Sequence, residues 1–178
     1  MLRFLNCMNV ITTFFALIAL SGCSNLAGGP PSIRMKYLDP YPTFVGGGIH
    51  TGVDLDVPLG SPVRAMGDGM VRSAFVMDLR GIRTPVVVIA YEDGRLISHY
   101  IHIDDISVQQ GERVTKGQIV AKTALTGPAG PNSTKPVPYP HLHLEIYSDS
   151  ERIDPLKINM TCPSQGGRWW YPVGCHEN

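Results

Sequence analysis

His141-Leu142-His143 sets two imidazoles at i and i+2, a spacing that sends both rings to one side of an extended chain. The pair sits in HLHLEIY, where polar and apolar residues alternate with the period of a β-strand. On that reading His141, His143 and Glu145 share one face, and Leu142, Leu144 and Ile146 share the other. A second group lies far upstream, His50 and Asp54 within GGGIHTGVDLDVPLGSPV. Two histidines and one carboxylate make a three-ligand set with a fourth position left open, the arrangement of a catalytic zinc rather than a structural one.

That grouping makes a geometric demand. On a straight strand His50 and Asp54 lie roughly 13 Å apart, too far to share an ion. The chain must bend between them, and Gly52 is the residue suited to the bend. Asp56 competes as a carboxylate and is expected to be solvated or structural. In the segment from Arg95 to Ile103, alternation puts Leu96, Ser98, Tyr100 and His102 on one face. Ile97, His99, Ile101 and Ile103 take the other. The three isoleucines mark their face as the core side, so His99 is expected in the core or at its edge. His102 then falls with Tyr100 on the polar side, where a site would form.

The elements that must carry these residues are short β-rich segments separated by turn residues. Strands are expected at 52–57, 62–65, 69–76, 84–91, 95–103, 118–124 and 141–147. Asp68-Gly69 and Glu92-Asp93-Gly94 carry hairpin chemistry. No window between them has a helical stripe, so the fold class is all-β, a compact antiparallel sandwich or barrel. Residues 127–140, GPAGPNSTKPVPYP, hold five prolines and deliver the chain to His141.

The ends point to export. Arg3, an apolar run from Val10 to Leu20, and Leu20-Ser21-Gly22-Cys23 follow the order of a secretory signal over residues 1–22. The last four resemble a bacterial lipobox, which implies cleavage before Cys23 and its lipidation; Ser24 resembles an outer-membrane sorting signal. Residues 23–45, rich in Gly, Pro and small polar residues, read as a lipidated N-terminus and linker. Removing residues 1–22 takes one arginine and no acids, leaving 14 basic residues (15 less Arg3) against 15 acidic ones. A chain this close to neutral has no electrostatic basis for binding nucleic acid. In an oxidising compartment Cys162 and Cys175 are expected to form a disulfide across CPSQGGRWWYPVGC in the tail, residues 159–178. Trp169 and Trp170 are expected to pack that tail onto its domain.

The residues from His50 to Pro155 resemble the lysostaphin/LytM-type zinc metallopeptidases, which cut peptidoglycan. Four segments carry the resemblance in order: HTGVDLDVPLGSPVRAMGDGMV, SHYIHI, VQQGERVTKGQIVAKTALTG, and PHLHLEIY followed by RIDP. It implies the duplicated hybrid motif fold over residues 46–158. It implies His50, Asp54 and His143 as ligands of one Zn2+, and His102 and His141 as catalytic histidines beside the open position. Glu145 is implied neither way, as a partner of His143 or as a cross-strand structural residue. The implied function is a zinc metalloendopeptidase acting on peptidoglycan peptides from a lipid anchor in the cell envelope. The alternative is a non-catalytic peptidoglycan-binding or hydrolase-activating lipoprotein. Two features depart from the family: Gly46-Gly47-Gly48-Ile49 stands where many relatives carry an arginine, and the 127–140 loop is longer and richer in proline than the usual connector.

Overall fold

The computed structural model describes residues 29–175, so the expected signal segment, Cys23 with its expected lipidation, and His176 lie outside the described residues. The strands are β1 (Ile33–Met35), β2 (Val53–Asp56), β3 (Pro62–Arg64), β4 (Gly69–Leu79), β5 (Ile82–Tyr91), β6 (Leu96–Ile101), β7 (Ile103–Asp104), β8 (Arg113–Val114), β9 (Ile119–Thr123), β10 (His141–Ser148), β11 (Glu151–Ile153), β12 (Met160–Thr161) and β13 (Trp169–Trp170). The only helical segments among the described residues are short 3-10 turns. No helix among the described residues is long and apolar enough to cross a membrane.

One antiparallel sheet runs in the order β1-β2-β10-β6-β5-β4-β8, with β11 paired to β10. A second, β3-β9-β7, packs against it. Alternation decides which face meets the core: Val53, Leu55, Leu142, Leu144 and Ile146 are all fully buried between the sheets. Each of these residues alternates with a polar one, so the other face of β2 and β10 carries the chemistry.

The expected strands form, within a few residues at their ends, and three expectations change. Asp68-Gly69 is not a hairpin turn. Gly69 opens β4, and β3 and β4 do not pair, because β3 crosses to the second sheet and joins β9. The tight hairpin is instead at Arg80-Gly81, where Leu79 pairs with Ile82 and both turn residues have positive φ (57° and 80°), as a two-residue type I′ loop requires. Second, the stretch expected as linker folds onto the domain from Ile33: β1 pairs with β2, and Arg34 bonds the Asp56 carboxylate. Asp56 is thereby structural. Third, the core face of β6 carries Leu96, Ser98 and Tyr100, while Ile97, His99 and Ile101 are only half-buried on the opposite face. The hydroxyls of the core face satisfy one another: Tyr91 Oη lies 2.8 Å from Tyr100 Oη and 3.2 Å from Ser98 Oγ. A closed hydroxyl network tolerates burial that lone hydroxyls do not.

The tail packs as expected. Trp169 is buried in the core against Tyr91, ring centroids 5.3 Å apart. It slides over Gly67, where a Cβ would come within 2.5 Å of the indole. Cys162 and Cys175 are joined by a disulfide.

Candidate metal centre

Strand pairing brings the two halves of the motif together. His143 on β10 stands opposite Asp54 on β2, and the two residues share the outer face of the sheet. His50 precedes β2, and the chain bends at Gly52 to return its ring to Asp54. The bend needs glycine for close approach rather than for a left-handed backbone: a Cβ at position 52 would lie 2.2 Å from the Leu144 carbonyl oxygen. His50 Nε2, Asp54 Oδ1 and His143 Nδ1 then form a triangle with sides of 3.0, 2.9 and 2.9 Å.

His102 reaches the same place by a different route. In regular β6 its side chain would follow Tyr100 into the core. Instead the strand stops at Ile101, His102 takes φ 62°, and Ile103 enters the core in its place. The break turns the His102 ring onto the outer face, 4.6 Å from the His141 ring and 5.9 Å from that of His143. His141 Nε2 lies 3.5 Å from Asp54 Oδ2. All five residues are at most 7 % exposed. His99 is not a core residue; it lines the outer face, 3.7 Å from Glu145 and tilted against Tyr147.

Each ring is fixed by a bond on its far nitrogen. A carbonyl can only accept, so His50 Nδ1–H donates to Lys36 O, His102 Nδ1–H to Thr126 O, and His141 Nδ1–H to Tyr139 O. His143 Nε2–H points at the Glu145 carboxylate, 3.5 Å away. Glu145 is held in turn by the Tyr147 hydroxyl at 2.9 Å. In the singly protonated ring the nitrogen left without a proton is then the other one, and at His143 it is freed only when the proton shared with Asp54 leaves. For His50 and His143 that is the nitrogen at the triangle, where a ligand lone pair is needed.

Electrostatics follow from burial and pairing. Burial works against the charge on Asp54, but the bonds to His143 and His50 outweigh it and hold its carboxyl well below the usual carboxylate range. Burial also disfavours the His143 imidazolium, yet bonds to Asp54 and Glu145 prevail and raise it to about 9. Glu145 is held down to about 2, since its bonds to His143 and Thr51 overcome desolvation. His102 is pushed down to about 3, by burial first and then by the rings of His141 and His143. His141 is lowered chiefly by burial, against the pull of Asp54.

The three donor atoms suit a metal ion. Two imidazole nitrogens and one carboxylate oxygen are a zinc-type set. A tetrahedral zinc with bonds of about 2.0–2.1 Å separates its ligands by about 3.3 Å, so the triangle need open by only a few tenths of an ångström. No other group of three or more His, Cys, Asp or Glu able to hold a metal ion is found among the described residues.

Sequence reasoning did not find Lys36, whose contribution is a main-chain carbonyl, nor the placement of His99. Comparison with known proteins bears on the same residues. The model of peptidase family M23 matches residues 48–155. The glycyl-glycine endopeptidase ALE-1 of Staphylococcus capitis is 34 % identical over 121 residues, covering 66 % of this chain and 31 % of ALE-1. The uncharacterized lipoprotein YgeR of Escherichia coli is 32 % identical over 134 residues, covering 75 % of this chain and 46 % of YgeR. Among solved structures, the catalytic domain of lysostaphin from Staphylococcus simulans superposes with a TM-score of 0.57 at 30 % identity, over 72 % of this chain and 91 % of that one. Peptidoglycan endopeptidases and a zinc-containing peptidase are also among its relatives and structural neighbours. The chain spans between 23 % and 31 % of the length of the first curated relatives it matches. With the fold, the motif order and the family match in agreement, this chain belongs to peptidase family M23.

Proposed function

We propose that the protein is a zinc-dependent endopeptidase that cleaves peptide cross-links of peptidoglycan. One observation carries the reading: three potential ligand atoms converge within 3.0 Å of one another, and two further imidazoles flank them. Family membership and the peptidoglycan endopeptidases among the relatives supply the substrate class.

His50 Nε2, Asp54 Oδ1 and His143 Nδ1 would hold the zinc. Bound there, zinc supplies Lewis acidity that polarises a peptide carbonyl and acidifies a water. The chain's own contribution is proton handling. His102 and His141 both have Nδ1 tied to a carbonyl, so Nε2 is the basic atom of each. Both rings are lowered by burial and are neutral near pH 7, ready to take a proton from the attacking water. Once protonated, the same Nε2–H can pass the proton to the departing amine or hold the developing oxyanion. The rings cannot swivel away, because the Thr126 and Tyr139 carbonyls restrain them.

The protein would work from the cell envelope, lipid-anchored at Cys23 in the outer membrane and facing the periplasm. The lipobox-like Leu20–Cys23 and Ser24 support this, as does the similarity to a lipoprotein. Labelled palmitate should enter the wild-type protein and not Cys23→Ser.

The deciding experiment is digestion of purified sacculi. Zinc-loaded protein should release cross-link fragments, and both chelator and His143→Ala should stop the release. A folded, zinc-loaded protein that binds sacculi but frees nothing would replace this reading with a wall-binding or hydrolase-activating role.

A further inference from the structure

Away from the metal centre, where β4 starts and β5 ends, two adjoining cavities of about 630 and 350 Å³ share Asp68 and Glu92 in their walls. The larger has the size of a small-ligand site. Strand pairing makes it. β8 joins β4 at Gly69 and Met70 alone, and the Val71 main chain is bonded to Gly111 and Glu112. β8, the start of β4 and the end of β5 thus lie side by side, with the small residues Gly69 and Ala90 in the cavity wall. Charge divides the lining. Arg113 comes from β8 and Arg72 from β4, and neither guanidinium has a partner among the described residues. Elsewhere Arg34, Arg83 and Arg168 each hold a carboxylate. Glu92 follows β5, and Asp68 precedes β4. Both acids are anchored, since Asp68 Oδ1 accepts the Lys116 N–H at 2.7 Å and Glu92 holds Arg168. A carboxylate accepts from several donors, so each keeps capacity for another.

We infer that the larger cavity is a second, non-catalytic binding site, which takes a short peptide carrying a free carboxylate and a free ammonium. Geometry sets the length. β8 and β5 flank β4 at two strand spacings, about 10 Å, and that width separates Arg113 from Glu92. An amino acid holds its own two charges far closer than this. A tripeptide with free termini spans it, at about 3.3–3.6 Å per residue. The two guanidiniums meet the carboxylate in the paired geometry that arginine favours. Asp68 and Glu92 receive the ammonium and repel a purely anionic ligand. Such a peptide does not reach the metal centre. His143 pairs with Ile101, one residue beyond the Val87–Tyr100 pair and so level with Val86. From there the cavity lies about four residues along β5, at Ala90, and three strands across from β10 at β4, roughly 20 Å away. Peptides of the wall would supply the ligand, so for its source the inference rests on the endopeptidase reading above.

Trialanine with free termini is the probe, titrated by calorimetry into the full chain with and without chelator. Alanine, trialanine amide, N-acetyl-trialanine and inorganic phosphate are titrated beside it. Trialanine should bind at least tenfold more tightly than alanine or phosphate, and equally well with chelator and in His143→Ala. Arg113→Gln should weaken it at least tenfold, the worth of one charge-assisted hydrogen bond, and narrow the gap between trialanine and its amide. Asp68→Asn keeps an oxygen for the Lys116 N–H, and should narrow the gap between trialanine and its acetylated form. Arg113 and Asp68 are both exposed, and circular dichroism checks that each variant folds. Three results overturn the second site and leave the endopeptidase reading standing: no trialanine binding, phosphate binding as tightly as trialanine, or binding lost in His143→Ala but kept in Arg113→Gln. Sacculi that stay intact while trialanine binds as expected overturn that reading and leave the site.

Discussion

At the metal centre each imidazole is bonded on one nitrogen and open on the other, which separates ligands from proton carriers. His143 contributes its lone pair to the triangle, so His143→Ala should lose bound zinc, measured by metal analysis of the folded protein. His102 contributes none. His102→Ala should therefore keep its zinc while sacculus cleavage falls by about 10²–10⁴-fold, the usual worth of a general acid–base. Zinc lost along with activity would move His102 into the ligand set. A second expectation concerns pH. Zinc must displace the proton that raises His143 to about 9, so affinity should climb as pH rises toward 9, by up to about tenfold per unit for one proton. In the metal-free protein the sign reverses. The raised value stabilises the fold fully below the ordinary histidine value of about 6.5, and this contribution is lost as pH rises through about 9. Chelator competition and thermal melts between pH 6 and 9 should slope in opposite directions; zinc affinity flat across that window would deny the His143 proton its role.

Strand alternation made most of the centre legible in the sequence, and the places where it failed have specific causes. His141, His143 and Glu145 were readable because β10 is regular, and Leu142, Leu144 and Ile146 marked its core face. In β6 the isoleucines misled. Hydrophobicity alone could not reveal that Ser98 and Tyr100 are buried, because their hydroxyls find partners only once Tyr91 arrives from the neighbouring strand. His102 reaches the site through a single left-handed residue, a break that alternation has no means to signal. The need for a bend between His50 and Asp54, by contrast, followed from distance, and Gly52 is where it occurs. Gly52→Ala tests how tightly that bend is held. Its Cβ would meet the Leu144 carbonyl at 2.2 Å and His143 Nε2 at 3.1 Å, so β2 must shift away from β10. The expected cost is about 1–3 kcal/mol in denaturant unfolding, together with weakened zinc binding, because Asp54 moves with β2. Wild-type stability and zinc affinity in the variant would mean the two strands have more slack than their contacts show.

Across the whole molecule the centre lies toward the start of β5, and Trp169 of the disulfide-closed tail packs at its other end. β5 begins at Ile82, beside the residues that wall the site, and ends at Tyr91, which packs on Trp169. Ten extended residues separate these ends by about 30 Å. The tail is held there by Trp169 in the core and by the bonds Trp170 N–H to Met66 O and Arg64 N–H to Pro172 O, while the pairing of β12 with β13 and the Cys162–Cys175 link close it on itself. In the chain-entropy account a cross-link closing a loop of this size contributes about 3 kcal/mol. Yet none of these attachments touches His50, Asp54, His102, His141 or His143. Replacing both cysteines by serine should therefore divide stability from chemistry. Unfolding should come about 3 kcal/mol sooner, while zinc affinity and cleavage per folded molecule stay within about twofold of wild type, as expected for sites well separated in space. Melting curves with and without a reducing agent should show the same offset in wild type and none in the double variant. Loss of zinc binding at temperatures where the variant is fully folded would instead reveal that the tail transmits order along β5 to the site.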